Sequence, residues 1–196
     1  MSDEHAEASK DHIFFLEKQE ATVDGFDALG LILDIGGGGE GIIGQLKGEQ
    51  VVAIDPSKRE LAGAPDGPLK IVMDAREMLF LDSAFKTVTS FFALMYIRGS
   101  EHEQVFKEVY RVLVSGGRFL IWEVELPPCL DKETDVVAVR LNIKLPDREI
   151  ETGYGTRWPE QMQGLPYYKE IAERVGFVAS AHKESGRVFS LELQKP

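Results

Sequence analysis

Short continuous apolar runs alternate with amphipathic or turn-rich stretches along this chain, until strict apolar-polar alternation takes over near residue 135. A continuous run bounded by turn residues marks a strand buried on both faces, as in a parallel sheet. Residues 29–35 carry that mark, and 51–55, 69–74, 87–93 and 118–124 read as four further strands. Between them, Ile42, Ile43 and Leu46 begin a short helical pattern that stops at Gly48. Ser57 starts a capped helix cut short by Gly63, Pro65 and Gly67. Val105, Phe106, Val109, Val112 and Leu113 share one face of a helix over 103–113, which Gly116-Gly117 is expected to end. Near the start, residues 1–12 are polar and acidic and are expected to fray, and Ile13, Phe14, Leu16 and Lys18-Gln19-Glu20 predict a short helix.

The strictly alternating stretch is Val137, Val139, Leu141, Ile143 and Leu145, interleaved with Ala138, Arg140, Asn142 and Lys144. It reads as a half-exposed strand, and the Pro146-Asp147 turn into 148–154 makes a β-hairpin of it. Pro159 is expected to open a helix carrying Met162, Leu165, Tyr168, Ile171, Ala172 and Val175, with Gly176 as its cap. Residues 177–182 and 188–193 are two strands joined by the turn 183–186, too short for anything but an antiparallel pair. The whole predicts one α/β domain over 1–196: a doubly wound, mostly parallel seven-stranded, Rossmann-like sheet with a C-terminal antiparallel strand and an added β-hairpin near 135–154.

Composition changes this picture little but narrows the partners. At 196 residues and 43% hydrophobic content, the chain is long enough for one real core. A net charge of −11 repels a phosphate backbone, so nucleic acid is not expected. One cysteine, Cys129, excludes an internal disulfide. The first residues lack a signal peptide's character, and the longest apolar run, Phe91 to Ile97, is too short to span a bilayer, so no membrane partner and a cytoplasmic location are expected.

The candidate chemistry gathers at the first strand. Leu31-Ile32-Leu33-Asp34-Ile35 runs into glycine at five of the next six positions, where backbone must adopt unusual angles or meet a ligand closely. Strand, helix and strand then form a βαβ unit whose strand ends open on one crevice, with Asp34 and Asp55 both there. Asp55, 21 positions after Asp34, offers a carboxylate able to accept two hydrogen bonds from a vicinal diol. Asp34 is expected to orient the loop and meet the positive end of a ligand, and Gly36 and Gly38 to let backbone amides reach a ligand carboxylate. Gly36, Gly38 and Gly41 also satisfy G-x-G-x-x-G, so the residues alone leave a nicotinamide-dependent oxidoreductase open, as well as a binding module without turnover.

With those residues in view, the chain from about Leu31 to the C-terminus, the hairpin excepted, resembles the class I S-adenosylmethionine-dependent methyltransferases, particularly the small-molecule type of quinone biosynthesis. Asp34, Gly36 and Gly38 fit the family's acid and alternating glycines, while Glu40 stands at its third glycine and Lys86 where aspartate is usual. The resemblance implies S-adenosylmethionine as cofactor, held by Asp34, Gly36, Gly37, Gly38, Asp55, Pro56, Asp74, Ala75 and Phe92. In it Asp55 holds the ribose hydroxyls and Asp74 lies near the adenine. The implied reaction is methyl transfer to a small-molecule acceptor, which needs alignment and exclusion of water more than a catalytic triad.

Should the acceptor be a phenol or hydroxyl, Tyr96 and Glu123 are the candidate catalytic residues. Trp122, Tyr154 and Trp158 are further candidates for the substrate side. His102 is expected at the surface, His5, His12 and His182 are scattered, and no spacing predicts a metal site. The hairpin is a candidate lid, substrate wall or homodimer contact.

Overall fold

A computed structural model describes residues 12–130 and 132–196 of the chain. The expected fraying of 1–12 lies outside these residues except for His12. In chain order the elements are β1 (Ile13–Phe15), β2 (Gln19–Thr22), β3 (Ile32–Ile35), α1 (Ile42–Lys47), β4 (Val51–Asp55), α2 (Lys58–Gly63), β5 (Leu69–Val72) and β6 (Phe85–Phe91). There follow α3 (His102–Val112), β7 (Leu113–Val124), β8 (Val136–Lys144), β9 (Glu149–Arg157), α4 (Leu165–Val175), β10 (Val178–Ser185) and β11 (Val188–Gln194).

Seven strands form one sheet in the order β10-β11-β7-β6-β3-β4-β5. All run in one direction except β11, which is antiparallel to both its neighbours, so the doubly wound sheet with a reversed C-terminal strand is present. Both faces are buried along the central strands β3, β4, β6 and β7, which explains their continuous apolar runs, whereas Leu69 and Val72 of the edge strand β5 are exposed. On β3, Leu33 and Ile35 join a core roofed by Val105, Phe106 and Val109 of α3 and Tyr168 and Ile171 of α4. Ile32 joins the opposite core with Ile42 and Ile43 of α1. That second core also takes Val137, Val139, Leu141 and Ile143, the apolar side of β8. The alternation that predicted a half-exposed strand is thus the mark of a small sheet laid over the large one.

The small sheet differs from expectation in one respect. The stretch 13–20 is not a helix: β1 and β2 pair in parallel with β8, Ile13 opposite Val136 and Gln19 opposite Leu141. A segment this short has little helical stability of its own, whereas the inner edge of β8 offers it a row of unpaired backbone groups. Buried Leu16, Ala21 and Val23 complete the exchange.

Two boundaries also move. α3 ends at Val112, and Gly116-Gly117 falls within β7, where a register shift against β6 and a left-handed Gly116 (φ 75°) mark a bulge. α4 begins at Leu165 with Pro166 in its first turn, rather than at Pro159, because Gln163 and Leu126 exchange backbone bonds of 3.0 and 2.9 Å that hold the preceding chain extended. Gly176 caps its end in the left-handed region, as expected. Among the described residues, no helix is long and apolar enough to cross a membrane.

Candidate active site

The carboxyl ends of β3, β4, β5 and β6 open on one cleft of about 830 Å³, at the crevice where the winding of the sheet reverses. β3 delivers the glycine run. Gly36 and Gly37 donate their N–H groups to Ile54 O at 2.8 and 3.1 Å, folding the loop back over β4. A Cβ on Gly36 would lie 2.3 Å from that of Ala93, and one on Gly38 2.6 Å from that of Glu60 and 3.0 Å from Asp55 Oδ2. The close approach predicted here is therefore first of all an approach to the protein's own walls. Gly39 donates to Glu60 O and Gly41 to Gly38 O, both at 3.1 Å. These amides serve the loop itself, a correction to the idea that the amides near Gly36 and Gly38 wait for a ligand. Left-handed backbone is needed at Gly39 (φ 59°) and Gly41 (φ 52°), which is why position 40 tolerates glutamate.

Asp34, Gly36, Gly38, Asp55, Pro56, Asp74, Ala75 and Phe92 all line the cleft, and Tyr96 and Tyr154 join them. Gly37 does not: its open side faces Ala53 and Asp34. Asp34 is buried, with one hydrogen bond at 2.7 Å from Thr89 Oγ1. Burial pushes its carboxyl up to about 7, and the Thr89 bond opposes that only in part. Asp55 accepts the Ser57 N–H at 2.7 Å, and burial raises its carboxyl despite that bond. It does not cap the next helix, because Ser57 does so by accepting the Glu60 N–H at 3.3 Å. Asp74 is held by Arg76, whose Nε lies 2.9 and 3.1 Å from its two oxygens and holds the carboxyl below the usual range.

The substrate-side candidates separate. Tyr96 is half exposed in the cleft, its hydroxyl pushed up to about 12 by desolvation first and then by the carboxylates of Glu123, Glu40 and Glu60. Glu123 does not reach the cleft. It is fully buried on β7, and its Oε1 accepts the N–H groups of Leu94 and Met95 at 2.7 and 3.2 Å, while Oε2 finds no partner among the described residues. Burial pushes its carboxyl up to about 8. It thus fixes the 3-10 turn Leu94–Tyr96 that carries Tyr96. Trp122 packs against Phe26 and Phe91, and Trp158 donates to Thr134 O at 3.0 Å, so neither indole lines the cleft.

His102 is a correction. It is fully buried, with Nδ1 2.9 Å from the Tyr167 hydroxyl and Nε2 2.9 Å from Leu94 O, and burial lowers its pKa. The signal was in the sequence, since 102, 105, 106 and 109 share one helical face. The cleft-wall residues Arg76, Arg98 and Glu101 had no sequence signal, while Glu40, marked by sequence only as a departure from glycine, reaches Thr152 and Tyr154 of β9 with its side chain.

A doubly wound sheet with a single reversed strand near one edge, and a glycine loop and acids gathered at its switch point, defines a nucleotide-type cofactor enzyme of class I methyltransferase architecture. Residues 33–121 match the family model described as a methyltransferase domain. That matched segment, which carries the glycine loop and the acids of the cleft, is similar to a methyltransferase domain and favours S-adenosylmethionine over a nicotinamide as the cofactor. A protein of Pyrococcus horikoshii shares the fold at 21% identity and a TM-score of 0.60, over 85% of this chain and 83% of its own. So do an S-adenosylmethionine-dependent methyltransferase of Mesorhizobium loti (16% identity, TM-score 0.61, 87% and 94% covered) and one of Methanosarcina mazei (18%, 0.57, 92% and 93%). A comparison with curated protein sequences finds no match.

Proposed function

We propose that the chain transfers the methyl group to a small-molecule acceptor held between the cofactor end of the cleft and β9. The observation that carries this reading is the convergence of Asp34, Asp55 and Asp74, from three adjacent parallel strands, with the glycine loop on one cleft. When bound, S-adenosylmethionine supplies an already activated methyl group on a sulfonium.

The residues fit that cofactor. Asp34 is a buried acid whose one hydrogen-bond partner among the described residues is a hydroxyl, an arrangement that gains from a cation. Asp55 presents carboxylate oxygen to vicinal hydroxyls, and Pro56, Ala75 and Phe92 supply apolar surface to a flat ring. Gly36, Gly37 and Gly38 keep the loop low enough to leave room. Asp74 works through Arg76, which its carboxylate holds at the cleft wall. Tyr96 keeps its proton at neutral pH and serves as a hydrogen-bond donor rather than a base. Glu123 acts behind the wall, by placing the turn that bears Tyr96.

Gly153 and Tyr154 of β9 close one side of the cleft, which supports an acceptor of modest size, and the charge of −11 argues against nucleic acid. The same reading carries a cytoplasmic location and a homodimer contact along the outer edge of β9, which pairs with β8 alone among the described strands. Sedimentation velocity tests the contact, and a purely monomeric species removes it. Isothermal titration with S-adenosylhomocysteine tests the site, with saturable one-to-one binding as the expected result. No heat at millimolar ligand overturns it. Transfer of labelled methyl across a panel of phenols, amines and quinone precursors then identifies the acceptor, and turnover of none of them favours a binding module.

A further inference from the structure

Strand β9 turns alternate residues toward the cleft, and its polar inward side chains are bound to two different cleft loops. The Thr152 hydroxyl donates to Glu40 Oε1, and the Tyr154 hydroxyl donates to Glu40 Oε2 at 3.1 Å. Two residues on, Thr156 Oγ1 donates to Met95 O at 2.9 Å, in the turn that follows β6. The Tyr154 ring packs on Phe92 with centroids 5.5 Å apart, and both rings line the cleft. The hairpin turn is tied to the same glycine loop, because Arg148 donates to Gln45 Oε1 at 2.8 Å and Gln45 Nε2 donates to Glu40 O at 2.6 Å.

We propose that Glu40 is a positioning residue. Its carboxylate latches β9 onto the glycine loop, sets the Tyr154 ring and hydroxyl as one wall of the cleft, and thereby controls how long a bound cofactor stays. The proposal rests on the reading that this cleft holds S-adenosylmethionine. Its physical basis is the asymmetry of β9. One long side of the strand pairs with β8, the other pairs with no described strand, and its cleft-facing side is held down by this set of side-chain bonds, by Phe92 and by the packing of Ile150 against the second core. Hydroxyl bonds to an ionised carboxylate are among the stronger ones a protein makes, and Glu40 provides two from a loop that is otherwise nearly bare of side chains.

The test is hydrogen exchange by mass spectrometry on the full chain, with dissociation of S-adenosylhomocysteine followed in parallel. In Glu40→Ala, amides of residues 150–156 are expected to lose protection by about tenfold while β3, β4 and β6 keep theirs, and the ligand is expected to leave several times faster. Glu40→Gln is expected to restore most of both, because its amide accepts one hydroxyl and donates to the oxygen of the other. If Glu40→Ala does not fold, Thr152→Val with Tyr154→Phe removes the same two bonds from the hairpin side and carries the same expectation. Unchanged protection over 150–156, or unchanged dissociation from a ligand that does bind, overturns the latch. If the wild-type chain binds no S-adenosylhomocysteine, the cofactor reading fails, and the exchange difference alone decides for or against the latch.

Discussion

Asp34 and Glu123 are acids that the fold keeps from water, and each carries a definite pH signature. Their carboxyls stand at about 7 and about 8, against 3.8 and 4.5 for the unperturbed groups. Between the unfolded and folded values the folded chain holds protons that the unfolded chain has released. The contribution of these two groups to stability is therefore full below the unfolded values and is lost as pH rises toward 8, at up to about 1.4 kcal/mol per pH unit for each group. Glu123→Gln removes one of the two, so its urea midpoint is expected to fall less than the wild type's between about pH 6 and about pH 8.5. Asp55→Ala is expected to weaken S-adenosylhomocysteine binding by about thirtyfold or more, measured by titration, while costing the fold only about 1 kcal/mol through the lost Ser57 bond. At this scale much of the site was legible, because acids at strand ends and glycines after a strand are local features. Glu123 was read as a cleft residue and His102 as a surface one for a common reason: a side chain's direction depends on which way a strand or helix is turned, and a polar residue bonded inside a core looks from sequence like any other polar residue.

Helix α3 does more than roof the sheet. Arg111 on its last turn donates to Phe80 O at 2.7 Å and Met78 O at 2.8 Å, and Glu108 Oε2 accepts the Met78 N–H at 2.7 Å. This pair pins the loop between β5 and β6, which begins with the cleft residues Asp74, Ala75 and Arg76. Arg111→Ala is expected to lower stability by about 1–3 kcal/mol, because two carbonyls and the carboxylates of Glu108 and Asp82 lose a charged donor, and to speed exchange in residues 76–82. The check is a urea titration with an unchanged m-value, followed by exchange mapping. Most elements could be read from their period alone, α3 from its apolar stripe and β8 from its alternation. The misplaced start of α4 shows the limit: the bridge between Leu126 and Gln163 joins residues far apart in the chain, and Pro159 carries no sign of it.

For the molecule as a whole, two-faced burial of the central strands is what their apolar runs recorded, so the core of the large sheet was legible in the sequence. With its charge of −11, the chain is expected to leave duplex DNA unshifted in a gel even at low salt, and to gain stability on adding salt as self-repulsion is screened. The parallel pairing of β1 and β2 with β8 had no such record, since it joins Ile13 to Val136. That pairing has a consequence in time. During synthesis, β1 and β2 leave the ribosome on the order of ten seconds before the strand they need has been made. Through that interval two short strands with no partner must avoid other nascent chains, and the roof of the cleft is assembled only after β8 and β9 have been made.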